Sequence, residues 1–80
     1  MMTEMEFFKE FEFLPMKNAT HETVECWKRD SGKYGEISRW GPGEFHVYME
    51  CNGYQHAGQV TTFTRALRLL IKKVEEEEKK

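Results

Sequence analysis

The sequence predicts an α+β fold: a small antiparallel β-sheet, of four strands or of three with an N-terminal helix, packed on one face by a C-terminal α-helix. Three observations carry this prediction. Phe63, Ala66, Leu67, Leu70, Ile71 and Val74 recur at spacings of 3, 1, 3, 1 and 3, which puts their side chains on one helix face. Upstream of them, runs rich in β-branched and aromatic residues are separated by glycine-bearing turns. Finally, 80 residues allow one domain whose single core is only marginally sufficient, so the helix stripe and the sheet must cover each other.

Each element follows from local pattern. Over residues 4–13, Met5, Phe7, Phe11 and Phe13 alternate with Glu4, Glu6, Glu10 and Glu12, which reads as a strand. The same segment offers a short helix through Phe7, Phe8, Phe11 and Leu14, and Pro15 ends either one. The loop that follows holds Asn18-Ala19-Thr20, a glycosylation tripeptide that reads as a chance match. Strands are expected over about 22–29 and 34–40, joined through Asp30-Ser31-Gly32-Lys33. With Ser31 and Gly32 as a two-residue loop, Cys26 falls opposite Ile37 and Trp27 opposite Glu36. A three-residue Gly41-Pro42-Gly43 loop then pairs Ile37 with Val47 and Glu36 with Tyr48. The next strand, 44–52, turns Phe45, Val47, Met49 and Cys51 inward and His46, Tyr48 and Glu50 outward. Asn52-Gly53 ends it, and a glycine-containing loop leads to Thr61 or Thr62 as the cap of a helix reaching about Glu77. Glutamates at 75–78 oppose the helix dipole, so residues 75–80 are expected to fray.

These registers collect Trp27, Tyr34, Trp40 and Tyr48 on the outer sheet face, beside His46, Glu25, Glu36, Glu44, Glu50 and Arg29. If residues 4–13 are a strand, their four glutamates join the same side. No predicted helix covers this face. Exposed Trp and Tyr gain much when a partner desolvates them, which makes the face a candidate contact site; the plainer reading is rings lying flat over the sheet. The rings could stack nucleobases, yet the surrounding carboxylates repel phosphates and instead invite a basic partner. The back of the helix carries Arg65, Arg68, Lys72 and Lys73, either a solvated face or a weak phosphate-contacting stripe.

Composition bounds the function classes. The chain is 39% hydrophobic, 32% charged and 14% aromatic with a net charge of -2, the profile of a soluble globular protein without general attraction to nucleic acid or anionic membrane. No apolar run is long enough to cross a bilayer and the N-terminus offers no leader pattern, so a cytoplasmic location with reduced, buried Cys26 and Cys51 is expected. Cys26, His46, Cys51 and His56 supply the atoms of a zinc set but lack a Cys-x-x-Cys knuckle, and His46 points away from the cysteines. Cys51 with His56 lacks an oxyanion-binding glycine turn, and no glycine leads from a strand directly into a helix as a phosphate loop requires. The expectation is a non-enzyme without metal or cofactor.

With a helical N-terminus, the order helix, three strands, helix resembles the topology of the double-stranded-RNA-binding domain. That family's Lys-Lys-x-Ala-Lys cluster is replaced here by Thr61, Thr62, Phe63, Thr64 and Arg65 before Ala66, so the resemblance is one of topology. In style the chain is similar to compact acidic inhibitors of phages and mobile elements, including anti-CRISPR and anti-restriction proteins. The expected function is binding a larger protein at a basic site and occluding it, with Trp27, Tyr34, Trp40 and Tyr48 as anchors and Glu25, Glu36, Glu50 and His46 around them. The alternatives are nucleic-acid binding through Arg65, Arg68, Lys72 and Lys73, or a homodimer pairing two sheet faces.

Overall fold

The computed structural model describes residues 2–16, 21–50 and 53–79. Helix α1 (Glu4–Glu10) leads into five strands, β1 (Phe11–Pro15), β2 (Glu22–Lys28), β3 (Gly32–Gly41), β4 (Glu44–Glu50) and β5 (Tyr54–Val60), and helix α2 (Phe63–Glu78) ends the chain. The strands form one antiparallel meander in the order β1-β2-β3-β4-β5. The α+β class and the helix-covered sheet are as the sequence predicts; the strand count is not, and the extra strands also depart from the three-strand topology of the double-stranded-RNA-binding domain.

The N-terminal segment is both helix and strand. Thr3 Oγ1 accepts from the Glu6 backbone N–H at 3.1 Å and the Glu6 carboxylate accepts from the Thr3 N–H at 3.2 Å, a reciprocal cap that starts α1. Alternation cannot continue through a helix, so Glu4, Glu6 and Glu10 leave the outer sheet face and only Glu12 stays on a strand. The second addition is β5, in a stretch read as loop. It pairs with β4 through Phe45 and Val60, Val47 and Gly58, and Tyr48 and His56, with Ala57 bulged between the last two.

The core lies between the sheet and α2. Phe7, Phe11, Cys26, Ile37, Val47, Met49, Ala66, Leu67, Leu70, Ile71 and Val74 are buried in it. Phe63, counted in the apolar stripe, stays about half exposed and meets the edge of Phe45, at 6.3 Å between centroids. Thr62 is the N-cap, accepting from the Arg65 N–H at 3.2 Å. Helix α2 runs on through the acidic stretch to Glu78, where Glu75 accepts from the Met2 backbone N–H and Glu78 pairs with Lys28 at 2.7 Å.

Registers decide what faces out. The β3–β4 pairing is the expected one, Ile37 with Val47 and Glu36 with Tyr48, but the turn is Pro42-Gly43 alone and not three residues: Gly41 pairs with Glu44, and a bulge at Trp40 takes up the difference. Between β2 and β3 the pairing is displaced by two residues, so Cys26 meets Gly35 and Ile37 meets Val24. An even displacement keeps every side chain on its predicted face. Faces do change at the bulge beyond Cys26, where Trp27 pairs with Lys33 and Tyr34 is the unpaired extra residue. Tyr34 therefore turns inward, edge-on to Phe11 at 5.3 Å, and Lys33 turns outward. Cys51 and the Asn18–Thr20 tripeptide lie outside the described residues.

Candidate functional site

Neither helix covers the outer face of the meander, and β3, β4 and β5 present there a continuous row of rings. His21 stacks on Trp40 at 4.2 Å and 13°, and Trp40 meets His46 at 5.0 Å. His46 then meets His56 at 5.2 Å and Tyr48 at 6.3 Å, and Tyr48 stacks on Tyr54 at 5.0 Å and 18°. Strand geometry produces this row. Trp40, Ser38 and Glu36 alternate onto the outer face of β3, His46 and Tyr48 lie beside them on β4, and the Ala57 bulge brings His56 opposite Tyr48. His46 is held on both sides, Nδ1 3.0 Å from His56 Nε2 and Nε2 3.3 Å from Glu44 Oε1.

Beside the rings lies an ion cluster. Lys33 Nζ is 2.9 Å from Glu25, 3.0 Å from Glu36 and 3.5 Å from Glu50. Its ammonium also lies 5.9 Å from the Tyr54 ring centre. Burial pulls the Lys33 pKa down, but the hydrogen bonds and charges of Glu36 and Glu25 outweigh it, so the pKa is raised. The hydrogen bond from Lys33 in turn lowers that of Glu25. Burial, followed by the neighbouring Glu36 carboxylate, raises the pKa of the Tyr54 phenol. Five carboxylates, Glu12, Glu25, Glu36, Glu44 and Glu50, thus share the face with two cations, Lys33 and Arg29, the latter 3.4 Å from Glu12.

Between these groups the sheet is recessed. Met16, His21, Thr23, Glu36, Ser38, Trp40, Tyr48 and Tyr54 line a shallow depression of about 260 Å³. Its floor is low because Thr23 and Ser38 are short, and each is buried with its hydroxyl 2.9 Å from the other.

The structure brings Trp40, Tyr48, His46, Glu25, Glu36 and Glu50 together on this face, with Trp27 on the same side farther along β2, its indole N–H 3.4 Å from Glu25. Tyr34 is the exception: as the bulged residue it belongs to the core side and is no anchor. Sequence reasoning missed Lys33, His21, Tyr54 and His56. The last two sit on a strand without alternation of apolar and polar residues, while Lys33 changes face only through a bulge that no residue of the turn announces. Of the residues that supply the atoms of a zinc set, Cys26 is in the core and His46 and His56 are on the outer face.

The basic helix stripe is divided. Arg68 is turned toward Glu4 at 3.9 Å, and Lys73 toward Glu76 at 3.8 Å. Arg68 and Lys72 border a hollow with Met2 and Glu4, whereas Lys73 borders one with Gln55 and His56. No helix among the described residues is long and apolar enough to cross a membrane. Comparison with protein-family models, curated proteins and solved structures gives no match.

Proposed function

We propose that this chain is a small non-enzymatic binding protein whose acidic aromatic sheet face docks on a basic site of a larger protein and occludes it. The observation that carries this reading is the ring row from His21 to Tyr54 on a face that neither helix covers, with Trp40 in it about half exposed. Such rings supply large contact area at little conformational cost, and the carboxylate excess supplies charge complementarity and rejects phosphates. Glu44 and Glu50 are the more exposed carboxylates, each bonded on one side to His46 or Lys33 and open to a partner on the other; Glu25 and Glu36 lie deeper, against Lys33. The mechanism is occlusion, the style of the phage and mobile-element inhibitors considered above.

The test uses three forms of the protein: wild type, the outer-face variant Trp40→Ala/Tyr48→Ala and the helix variant Arg65→Glu/Lys72→Glu. A partner captured by the wild type is identified, purified and titrated with each form. The reading requires affinity to fall at least about a hundredfold in the outer-face variant, as loss of two aromatic anchors implies, and to hold in the helix variant. The reverse pattern refutes it. Salt-sensitive binding to DNA or RNA that the helix variant abolishes would move the function to α2. A dimer in light scattering that the outer-face variant breaks would make the face a self-association surface.

A further inference from the structure

The depression between Trp40 and Tyr54 has a chemistry of its own. Thr23 Oγ1 donates to the His21 carbonyl at 3.2 Å, so its single proton is used there. At the 2.9 Å contact between the two hydroxyls, Ser38 must therefore be the donor and Thr23 the acceptor. Ser38 Oγ is left with lone pairs alone. Beside it stands the Glu36 carboxylate, 8% exposed as a residue, which takes one bond from Lys33 and keeps acceptor sites in reserve. The floor thus offers acceptors and no free proton. The walls are flat rings, His21 on Trp40 at one end and Tyr48 on Tyr54 at the other.

We infer that this depression is the anchor for one arginine side chain of the partner protein. The inference rests on the protein-binding reading above and names the group that reading leaves open. A planar guanidinium stacks on aromatic faces and presents donors in its own plane, which meets rings at the sides and acceptors below in one pose. Lysine offers a compact charge that stacks poorly, and a nucleotide brings a phosphate into a face with excess carboxylates. The volume of about 260 Å³ suits a side chain, lying below the roughly 300–1,000 Å³ of sites that enclose whole small molecules.

The experiment is an NMR titration of the full chain with the tripeptide amide acetyl-Gly-Arg-Gly, its citrulline counterpart, which keeps shape without charge, and a short single-stranded oligonucleotide. Saturable shifts at Trp40, Tyr48 and Tyr54, with Trp27 silent because it does not line the depression, are expected for the arginine peptide. Citrulline should bind about tenfold more weakly, the difference between charge-assisted and neutral hydrogen bonding. Glu36→Gln should weaken the arginine peptide similarly. Because that change also touches Lys33, Trp40→Ala, at an exposed position, is the second variant and should weaken it about three- to fivefold. Equal binding of arginine and citrulline, no binding of either at millimolar concentration, or preference for the oligonucleotide would each overturn the inference. If the peptide fails while the purified partner still depends on Trp40, the inference falls and the protein-binding reading stands. If the partner ignores Trp40, both fall.

Discussion

Phe7 and Phe11 lie ring on ring, 4.5 Å between centroids and 7° from parallel, across the point where α1 becomes β1. Both are fully buried, and Phe11 also receives the edge of Tyr34, so this stack locks the N-terminal helix to the sheet.

Truncating Phe7 to alanine should cost about 3–5 kcal/mol, a large share of the stability available to a domain of this size. The gentler pair Phe7→Leu and Phe11→Leu, with the double variant, should show a coupling of about 0.5–1.5 kcal/mol in urea unfolding. Additive effects would mean that the two rings act only through separate burial.

The helix-to-strand change at this stack also explains why the N-terminus was only partly legible. Thr3 and Glu6 carry a capping signal, but the end of α1 has no glycine or following proline to announce it. It is finished from a distance: Arg29 donates its backbone N–H to the Glu10 carbonyl at 3.0 Å and its guanidinium to the Phe8 carbonyl at 3.1 Å. Residues close in space but far in sequence leave no local pattern. By contrast, the α2 stripe from Ala66 to Val74 is local and was readable, as was the β3–β4 pairing, though not the two-residue length of its turn, which the bulge at Trp40 conceals. For the site, Trp40 and Tyr48 followed from alternation, whereas Lys33 and Tyr34 exchanged faces through one bulge.

Two glycines of β3 should respond oppositely to alanine. A Cβ on Gly35 would stand 2.4 Å from the Tyr48 carbonyl oxygen and 3.1 Å from Leu70 Cδ1, so Gly35→Ala must push β4 or α2 away. The expected loss is about 1–3 kcal/mol. At Gly32 a Cβ meets nothing within 4 Å, and Gly32→Ala should be neutral or gain about 0.4–1 kcal/mol by restricting the unfolded chain. Thermal unfolding of both variants decides; equal effects would refute the packing argument at Gly35.

Lys33 keeps apart a repulsion that the sheet itself creates, since Glu25 and Glu36 are cross-strand partners. Lys33→Met should lose about 1–3 kcal/mol at pH 7, because two carboxylates then face each other without a cation. The pH dependence has a definite sign. The lowered pKa of Glu25 stabilises the fold above the ordinary glutamate range, and that contribution fades as acid protonates the group. The raised pKa of Lys33 gives stability that is complete below the ordinary lysine range and fades only as alkali titrates the folded state. The deficit of Lys33→Met should therefore be greatest at neutral pH and shrink toward pH 4, as urea unfolding across that range would measure. A deficit independent of pH would assign Lys33 a packing role instead.

Cys26 gives the plainest report on the core. It is fully buried opposite Gly35, and burial pushes its thiol from the ordinary 9.0 up to about 12. With Cys51 replaced by alanine so that one thiol reports, an aromatic disulfide reagent at pH 8 should label Cys26 only as fast as the domain opens. Linkage supplies the second test. Between pH 9 and 12 the unfolded chain has lost the proton that the folded chain keeps, so stability declines as pH rises through that window. Other groups titrate there too, and comparison with Cys26→Ala removes them. The difference between the two proteins should change by up to about 1.4 kcal/mol per pH unit, with the wild type the steeper. Rapid labelling under native conditions, or parallel pH profiles, would place the thiol at a solvent-reachable position and contradict its burial in the core.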